Sequence, residues 1–282
     1  MAVDALRADV EGLEAESRTI DVGGLRLHVL DYPGEGRGVL LLPGITSPAI
    51  TWDFVVQTVR DGLRFLVPDM RGRGLSETPE GGGYTLGDYA GDVAGIVRAL
   101  ELDRPTLLGH SMGARIATTF AARHPDLRGP VIAVDPPLSG PGRDPYPITR
   151  ETFLGQLEQA RAGVTVDELR SHYPRWPERE LELRTRWLAT CADEAVAESH
   201  RGFHEEDFFE DWPQVGPPVA FVYGGDSPMV TAEGAAEAAR RNPAALMVRV
   251  PDAGHMIPWD SLAGFREAIA GLLASADYRP DI

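Results

Sequence analysis

A serine with glycines two positions away on either side, in Gly109-His110-Ser111-Met112-Gly113, follows the apolar run Pro105-Thr106-Leu107-Leu108 and precedes a helical stretch from Ala114 to Arg123. Strand, tight turn and helix in that order are the setting in which a G-x-S-x-G serine acts as a nucleophile. The turn strains the serine's backbone and admits only small residues at the two flanking positions, which Gly109 and Gly113 supply. The free N–H groups at the start of the following helix favour an oxyanion forming beside Ser111. With 31 glycines in 282 residues a chance match is easy, but here strand, elbow and helix coincide.

A serine nucleophile needs a base, and after such an elbow the chain order is serine, acid, histidine. Of the seven histidines, His255 fits: it sits in Asp252-Ala253-Gly254-His255-Met256, straight after the last apolar run, where a loop can reach back over a sheet. His28 and His124 read as surface or packing residues, and the elbow itself holds His110. His200 and His204 are spaced i, i+4, yet no HExxH and no third ligand accompanies them, so they read as a helix face and no metal is expected. For the acid two positions compete. The turn Gly224-Gly225-Asp226-Ser227-Pro228-Met229-Val230 resembles the G-x-x-D-P-x-V turn that usually carries it, but the acid position falls on Ser227, one residue beyond Asp226. Asp135, ending the run Val131-Ile132-Ala133-Val134, is placed to reach a histidine Nδ1–H as well. Position alone leaves the choice open.

The elements that must hold these residues alternate along the chain. Leu25–Tyr32 alternates like an exposed-edge strand, and Val39–Leu42 is a short apolar run ending in Pro43-Gly44, as a buried parallel strand does. A helix near Thr51–Arg60, a strand at Phe65–Val67 and a helix at Leu86–Leu100 lead to the elbow. Strands at Val131–Val134, Val219–Val222 and Leu246–Val250 follow, the last two separated by a helix from Ala232 to Arg241, and a closing helix occupies about Ser261–Ser275. This alternation predicts an α/β protein with a doubly wound, mostly parallel sheet. From about Pro136 to Pro217 strand signals stop and amphipathic helices take over, with Trp176, Trp187 and Trp212. The expected organisation is a core of residues 1–135 and 218–282, with 136–217 as a helical cap over the strand ends, where α/β sheets bind ligands.

Bulk properties narrow the partners. The net charge is −16, which argues against nucleic acid and anionic membrane and requires internal cations for any anionic substrate. Cys191 is the only cysteine, so an intrachain disulfide is excluded and a reducing, cytoplasmic location is expected. The N-terminus lacks the cationic start and apolar core of a secretory signal, and no apolar run approaches membrane-spanning length. Self-association is left open.

Read together, PGITSPAITW (43–52), RGRGLS (71–76), GHSMGAR (109–115), VDPPLSGPGR (134–143), FHE (203–205) and AGHMIPWD (253–260) resemble the N-formylmaleamate deformylases of nicotinate catabolism, which are α/β-hydrolases. The likeness runs from about Leu25 to Leu273. That family, and the related acetamidomethylene-succinate hydrolases, imply an acid after the earlier strand, which maps it onto Asp135. They imply a cofactor-free Ser111–His255–Asp135 mechanism on a small anionic N-acyl amide acid, with oxyanion N–H groups from Ile45 and Met112. An ester or carbon–carbon bond of another small carboxylate is the alternative target. Arg71 and Arg73, in DMRGRGLS, read as structural parts of that fold. Cations for the substrate carboxylate must come from the cap, where Arg143, Arg175, Arg184 and Arg186 are candidates with His172 and Tyr173 nearby. Arg184 and Trp187 lead, because LRTRWL (183–188) resembles the family, and Arg143 follows.

Overall fold

Each apolar run between helices became a strand, and the strands align because their registers match. The computed structural model describes residues 3–274; Met1, Ala2 and 275–282, including the expected last residue of the closing helix, Ser275, lie outside it. Eight strands form one sheet: β1 (Glu16–Val22), β2 (Leu25–Tyr32), β3 (Glu35–Leu42), β4 (Leu63–Pro68), β5 (Thr106–His110), β6 (Val131–Val134), β7 (Val219–Gly224) and β8 (Leu246–Val250), in the order β1-β2-β4-β3-β5-β6-β7-β8. Only β1–β2 and β2–β4 pair antiparallel. The helices are α1 (Val3–Glu11), α2 (Asp53–Val59), α3 (Leu86–Ala99), α4 (Met112–Arg123), α5 (Arg150–Ala162), α6 (Val166–His172), α7 (Glu178–Trp187), α8 (Asp193–Glu205), α9 (Phe208–Asp211), α10 (Ala232–Arg241), α11 (Ile257–Asp260) and α12 (Leu262–Ala274).

Both faces of the sheet are covered, which is why its central strands are apolar throughout. Leu40 and Leu42 pack into one cluster with Tyr89 and Val93 of α3 and Ile116 and Phe120 of α4. Val39 and Leu41 pack into the other with Val55 and Val56 of α2 and Phe265 and Ile269 of α12. Local signals set the helix starts. Thr85 and Asp88 close a capping box on α3, Thr165 and Glu168 do so on α6, and Gly163 ends α5 in the left-handed conformation.

One strand reading is corrected. Leu25–Tyr32 is not an exposed edge, because β1 pairs along it and six of its eight residues are buried. The true edge, β1, has the charged sequence ESRTIDV and mostly exposed residues, so its apolar alternation is too weak to read. Between β6 and β7 the described residues hold helices α5 to α9 and no strand.

The register fixes the working end. His110 pairs with Val134, and Val134 with Val222. The carboxyl ends of β5, β6 and β7 are therefore level, and the residues that follow them, Ser111, Asp135 and the 224–227 turn, emerge side by side.

Candidate active site

Ser111 carries the strain that the elbow demands, with φ 56° and ψ −120°. The flanking glycines are sterically required. A Cβ at Gly109 would run into the Gly113 carbonyl, and one at Gly113 into the Leu42 carbonyl. β5 and α4 are thus pressed together, and the serine is pushed out at their junction. Its Oγ lies 2.9 Å from His255 Nε2, and His255 Nδ1 lies 2.7 Å from Asp135 Oδ2. Asp135 is fully buried and has a positive φ of 47°, a conformation that Asp tolerates better than most residues. Its Oδ1 accepts the Gly224 N–H at 2.9 Å, and its Oδ2 accepts the Ser227 hydroxyl at 2.5 Å. These acceptor duties suit a carboxylate, and its contact with Nδ1 selects the tautomer that leaves Nε2 free to take the serine proton.

Asp226 is exposed, and its backbone N–H is tied to the Ala253 carbonyl. The residue on the competing turn that reaches the site is Ser227, and it reaches the carboxylate of Asp135 rather than His255. That contact was not foreseen; the register of the turn signalled it, since Ser227 stands where an acid was sought.

The loop after β3 closes the other side. Gly44 lies against the serine, so that a Cβ there would touch Ser111 and His110 at 3.5 Å. The backbone N–H groups of Ile45 and Met112 are taken by no acceptor among the described residues. Arg73 holds this loop from behind: its Nε donates to the Ile45 carbonyl at 3.1 Å, while its Nη groups reach the Arg71 and Ala195 carbonyls and the Tyr89 and Ser199 hydroxyls. Arg71 is bound to Asp92 and the Gly83 carbonyl. Both arginines serve the DMRGRGLS turn.

His110 is buried beside the serine and donates from Nε2 to the His255 carbonyl at 2.8 Å. Because a carbonyl only accepts, Nε2 carries the proton and Nδ1 is a bare acceptor without a partner. Burial, and next the nearby His255, push its pKa down to about 3. His110 therefore adds no charge near neutral pH.

A cavity of about 410 Å³ opens above Ser111 and His255. Its far wall comes from the segment between β6 and β7, including Tyr146, Phe153, Gln156, His172, Tyr173 and Arg184. Arg184 is buried, at 8% exposed. Its Nη2 is shared between Gln156 Oε1 at 3.2 Å and the Tyr173 hydroxyl at 3.3 Å, and its Nε has no partner. The guanidinium carbon lies 5.1 Å from the centre of the Tyr173 ring and 5.7 Å from that of Trp176. No carboxylate of the described residues pairs with it. Trp176 in turn stacks on Trp259 at 5.2 Å, and Trp259 meets Trp52 edge-on at 4.9 Å.

Three sequence candidates, Arg143, Arg186 and Trp187, do not line the cavity. Arg143 is held by Glu237 through two bonds of 2.9 Å and lies 3.4 Å from Asp207. This pairing lowers the Glu237 pKa to about 2. Trp187 is buried and donates from Nε1 to Asp9 at 2.9 Å, beside Arg186, which binds the same carboxylate. It is not among the residues that line the cavity, and its partner is 178 residues away in sequence. Arg175 reaches the rim, 59% exposed and 3.2 Å from Asp260. His200 Nε2 donates to the Ile148 carbonyl, and the described residues contain no group of three metal-ligating side chains. None of their helices is long and apolar enough to cross a membrane.

Comparison with known proteins shows the family to which this fold belongs. The family described as alpha/beta hydrolase fold matches residues 39–262. The chain belongs to the α/β-hydrolase family. Among curated relatives, this α/β-hydrolase is 38% identical to an N-formylmaleamate deformylase of Pseudomonas putida, covering 90% of this chain and 95% of that protein. It is 32% identical to a 2-(acetamidomethylene)succinate hydrolase of Mesorhizobium japonicum, covering 89% and 93%. Its structure matches the crystal structure of the N-formylmaleamic acid deformylase of Pseudomonas putida S16, in a serine-to-alanine variant, with a TM-score of 0.85 at 38% identity, over 90% of this chain and all of that one.

Proposed function

We propose that this α/β-hydrolase cleaves the C–N bond of a small unsaturated N-acyl amide acid, N-formylmaleamate to maleamate and formate, through a Ser111–His255–Asp135 triad. The observation that carries the reading is Arg184: a buried guanidinium with no counter-ion among the described residues, in the same cavity as a serine bonded to histidine. A buried cation is costly unless something anionic meets it, and a substrate carboxylate would. The names of the two curated relatives, both hydrolases of unsaturated amide acids, support the choice of bond and substrate.

In this reading His255 takes the proton from Ser111 as Oγ attacks the formyl carbonyl, and Asp135 stabilises the imidazolium. The N–H groups of Ile45 and Met112 receive the oxyanion. Collapse expels the maleamate nitrogen, protonated by His255. That nitrogen leaves more easily than from an ordinary amide, because its negative charge is shared with the neighbouring carbonyl. Water activated by His255 then hydrolyses the formyl-serine and releases formate. Residues 136–217 act as the cap that carries Arg184 over the serine, with His172 and Tyr173 beside it. We place the enzyme in the cytoplasm, in keeping with its single, buried thiol.

The test is formate release by the purified protein on N-formylmaleamate. Turnover that disappears in Ser111→Ala is the expected result. No formate release from an enzyme that hydrolyses small carboxylate esters or ring-fission products would replace this reading with the esterase or carbon–carbon hydrolase alternative.

A further inference from the structure

Ser227 is left without a task in the steps above, yet its contacts are specific. It is buried at 8% exposure. Its hydroxyl accepts the Met229 N–H at 3.1 Å and gives its own hydrogen to Asp135 Oδ2 at 2.5 Å. That same oxygen receives His255 Nδ1 at 2.7 Å. The other oxygen is occupied by the Gly224 N–H. Three donors therefore surround one buried carboxylate, two of them on the oxygen that faces the histidine.

We propose that Ser227 is a positioning residue, which acts through Asp135 to set both the orientation and the basicity of His255. The inference rests on the triad reading. Orientation follows from geometry: Asp135 leaves its strand with a positive φ, and bonds from Gly224 and Ser227 fix the plane of its carboxylate. Basicity follows from sharing. Charge drawn toward the Ser227 hydroxyl is charge that Oδ2 does not offer to Nδ1, so the hydroxyl restrains the carboxylate's pull on the imidazolium proton. Through the Met229 N–H the same hydroxyl ties the acid to the cavity wall, because Pro228 and Met229 both line it. A residue that only filled space would need none of these donors.

The experiment compares Ser227→Ala with the parent enzyme across pH, on whichever small amide or ester the parent turns over. Without the hydroxyl, Asp135 pulls harder on His255. We expect the acid limb of kcat/KM to move up by about half a pH unit or more, and kcat to fall roughly ten-fold or more. A structural defect alone would lower the amount of active protein and leave the limb in place. The second variant swaps the acid across the hydrogen bond. Asp135→Asn/Ser227→Asp puts a carboxylate on the far side of the shared contact and keeps an amide donor at 135, and we expect it to recover at least ten-fold over Asp135→Asn. An unshifted acid limb and near-parent kcat in Ser227→Ala overturn the proposal. If that variant does not fold, a double variant no better than Asp135→Asn does so instead. Near-normal activity in Asp135→Asn would refute the triad reading itself, a separate result.

Discussion

At the scale of single residues, Ser111, His255 and Asp135 are joined by two short hydrogen bonds, and each has its own expected loss. Ser111→Ala and His255→Ala should each cut turnover on the order of a million-fold, as such losses do in comparable serine enzymes, while circular dichroism shows the fold intact. Asp135→Asn should cost roughly ten-thousand-fold, and Asp226→Asn little, because Asp226 faces solvent. A larger loss from Asp226→Asn would contradict the geometry. His110 makes a different prediction. Its folded pKa, about 3, lies below the ordinary histidine value. The neutral ring's contribution to stability is therefore fully present above about pH 6.5 and is lost as the pH falls toward 3, because the unfolded chain takes up a proton that the folded one refuses. The loss amounts to roughly 4–5 kcal/mol at the acid end. Chemical denaturation between pH 7 and 4 should show His110→Gln, which keeps a donor, losing stability less steeply than the parent. Equal slopes would refute this.

Elements explain what was legible in the sequence and what was not. The elbow could be read because strand, glycines and helix are local in sequence. Asp135 could not be chosen by position, since the competing turn differs by one residue, and resemblance had to decide. The substrate-binding candidates between β6 and β7 divided for a physical reason: a cation's direction on a helix depends on partners far away in the chain. Arg184 on α7 points into the cavity, whereas Arg186 and Trp187 are captured by Asp9 of α1. Arg143 is captured by Glu237 of α10. β1 escaped notice because an edge strand buries little. At this scale Arg184→Ala should raise KM roughly ten- to hundred-fold for an N-acyl amide acid and far less for a neutral ester. Arg143→Ala should not discriminate between the two. Steady-state kinetics on both substrates checks this, and equal losses on both for Arg184→Ala would leave the carboxylate contact without support.

For the whole molecule, a net charge of −16 surrounds a cavity whose buried cation, Arg184, is paired with no carboxylate among the described residues. Long-range repulsion slows the approach of an anion, while the final contact is buried and little screened. Raising salt from 10 to 150 mM shortens the screening length from about 30 Å to about 8 Å. We therefore expect kcat/KM for an anionic substrate to rise by about two- to five-fold over that range and to stay flat for a neutral ester. A fall for the anion would mean that attraction at the mouth outweighs the surface field.

The stack of Trp52, Trp259 and Trp176 gives the enzyme an internal optical gauge. Trp52 and Trp259 belong to the sheet-bearing body, while Trp176 rides on the segment that bears Arg184 and lies under its guanidinium. Indoles this close couple their electronic transitions, so near-ultraviolet dichroism and tryptophan emission both report the distance between the two parts. An anion docking on Arg184 would alter the charge felt by the Trp176 ring, and movement of the segment that bears Trp176 away from Trp259 would break their contact. Titration of the inactive Ser111→Ala protein with an intact substrate would then register in its own light, without any attached label.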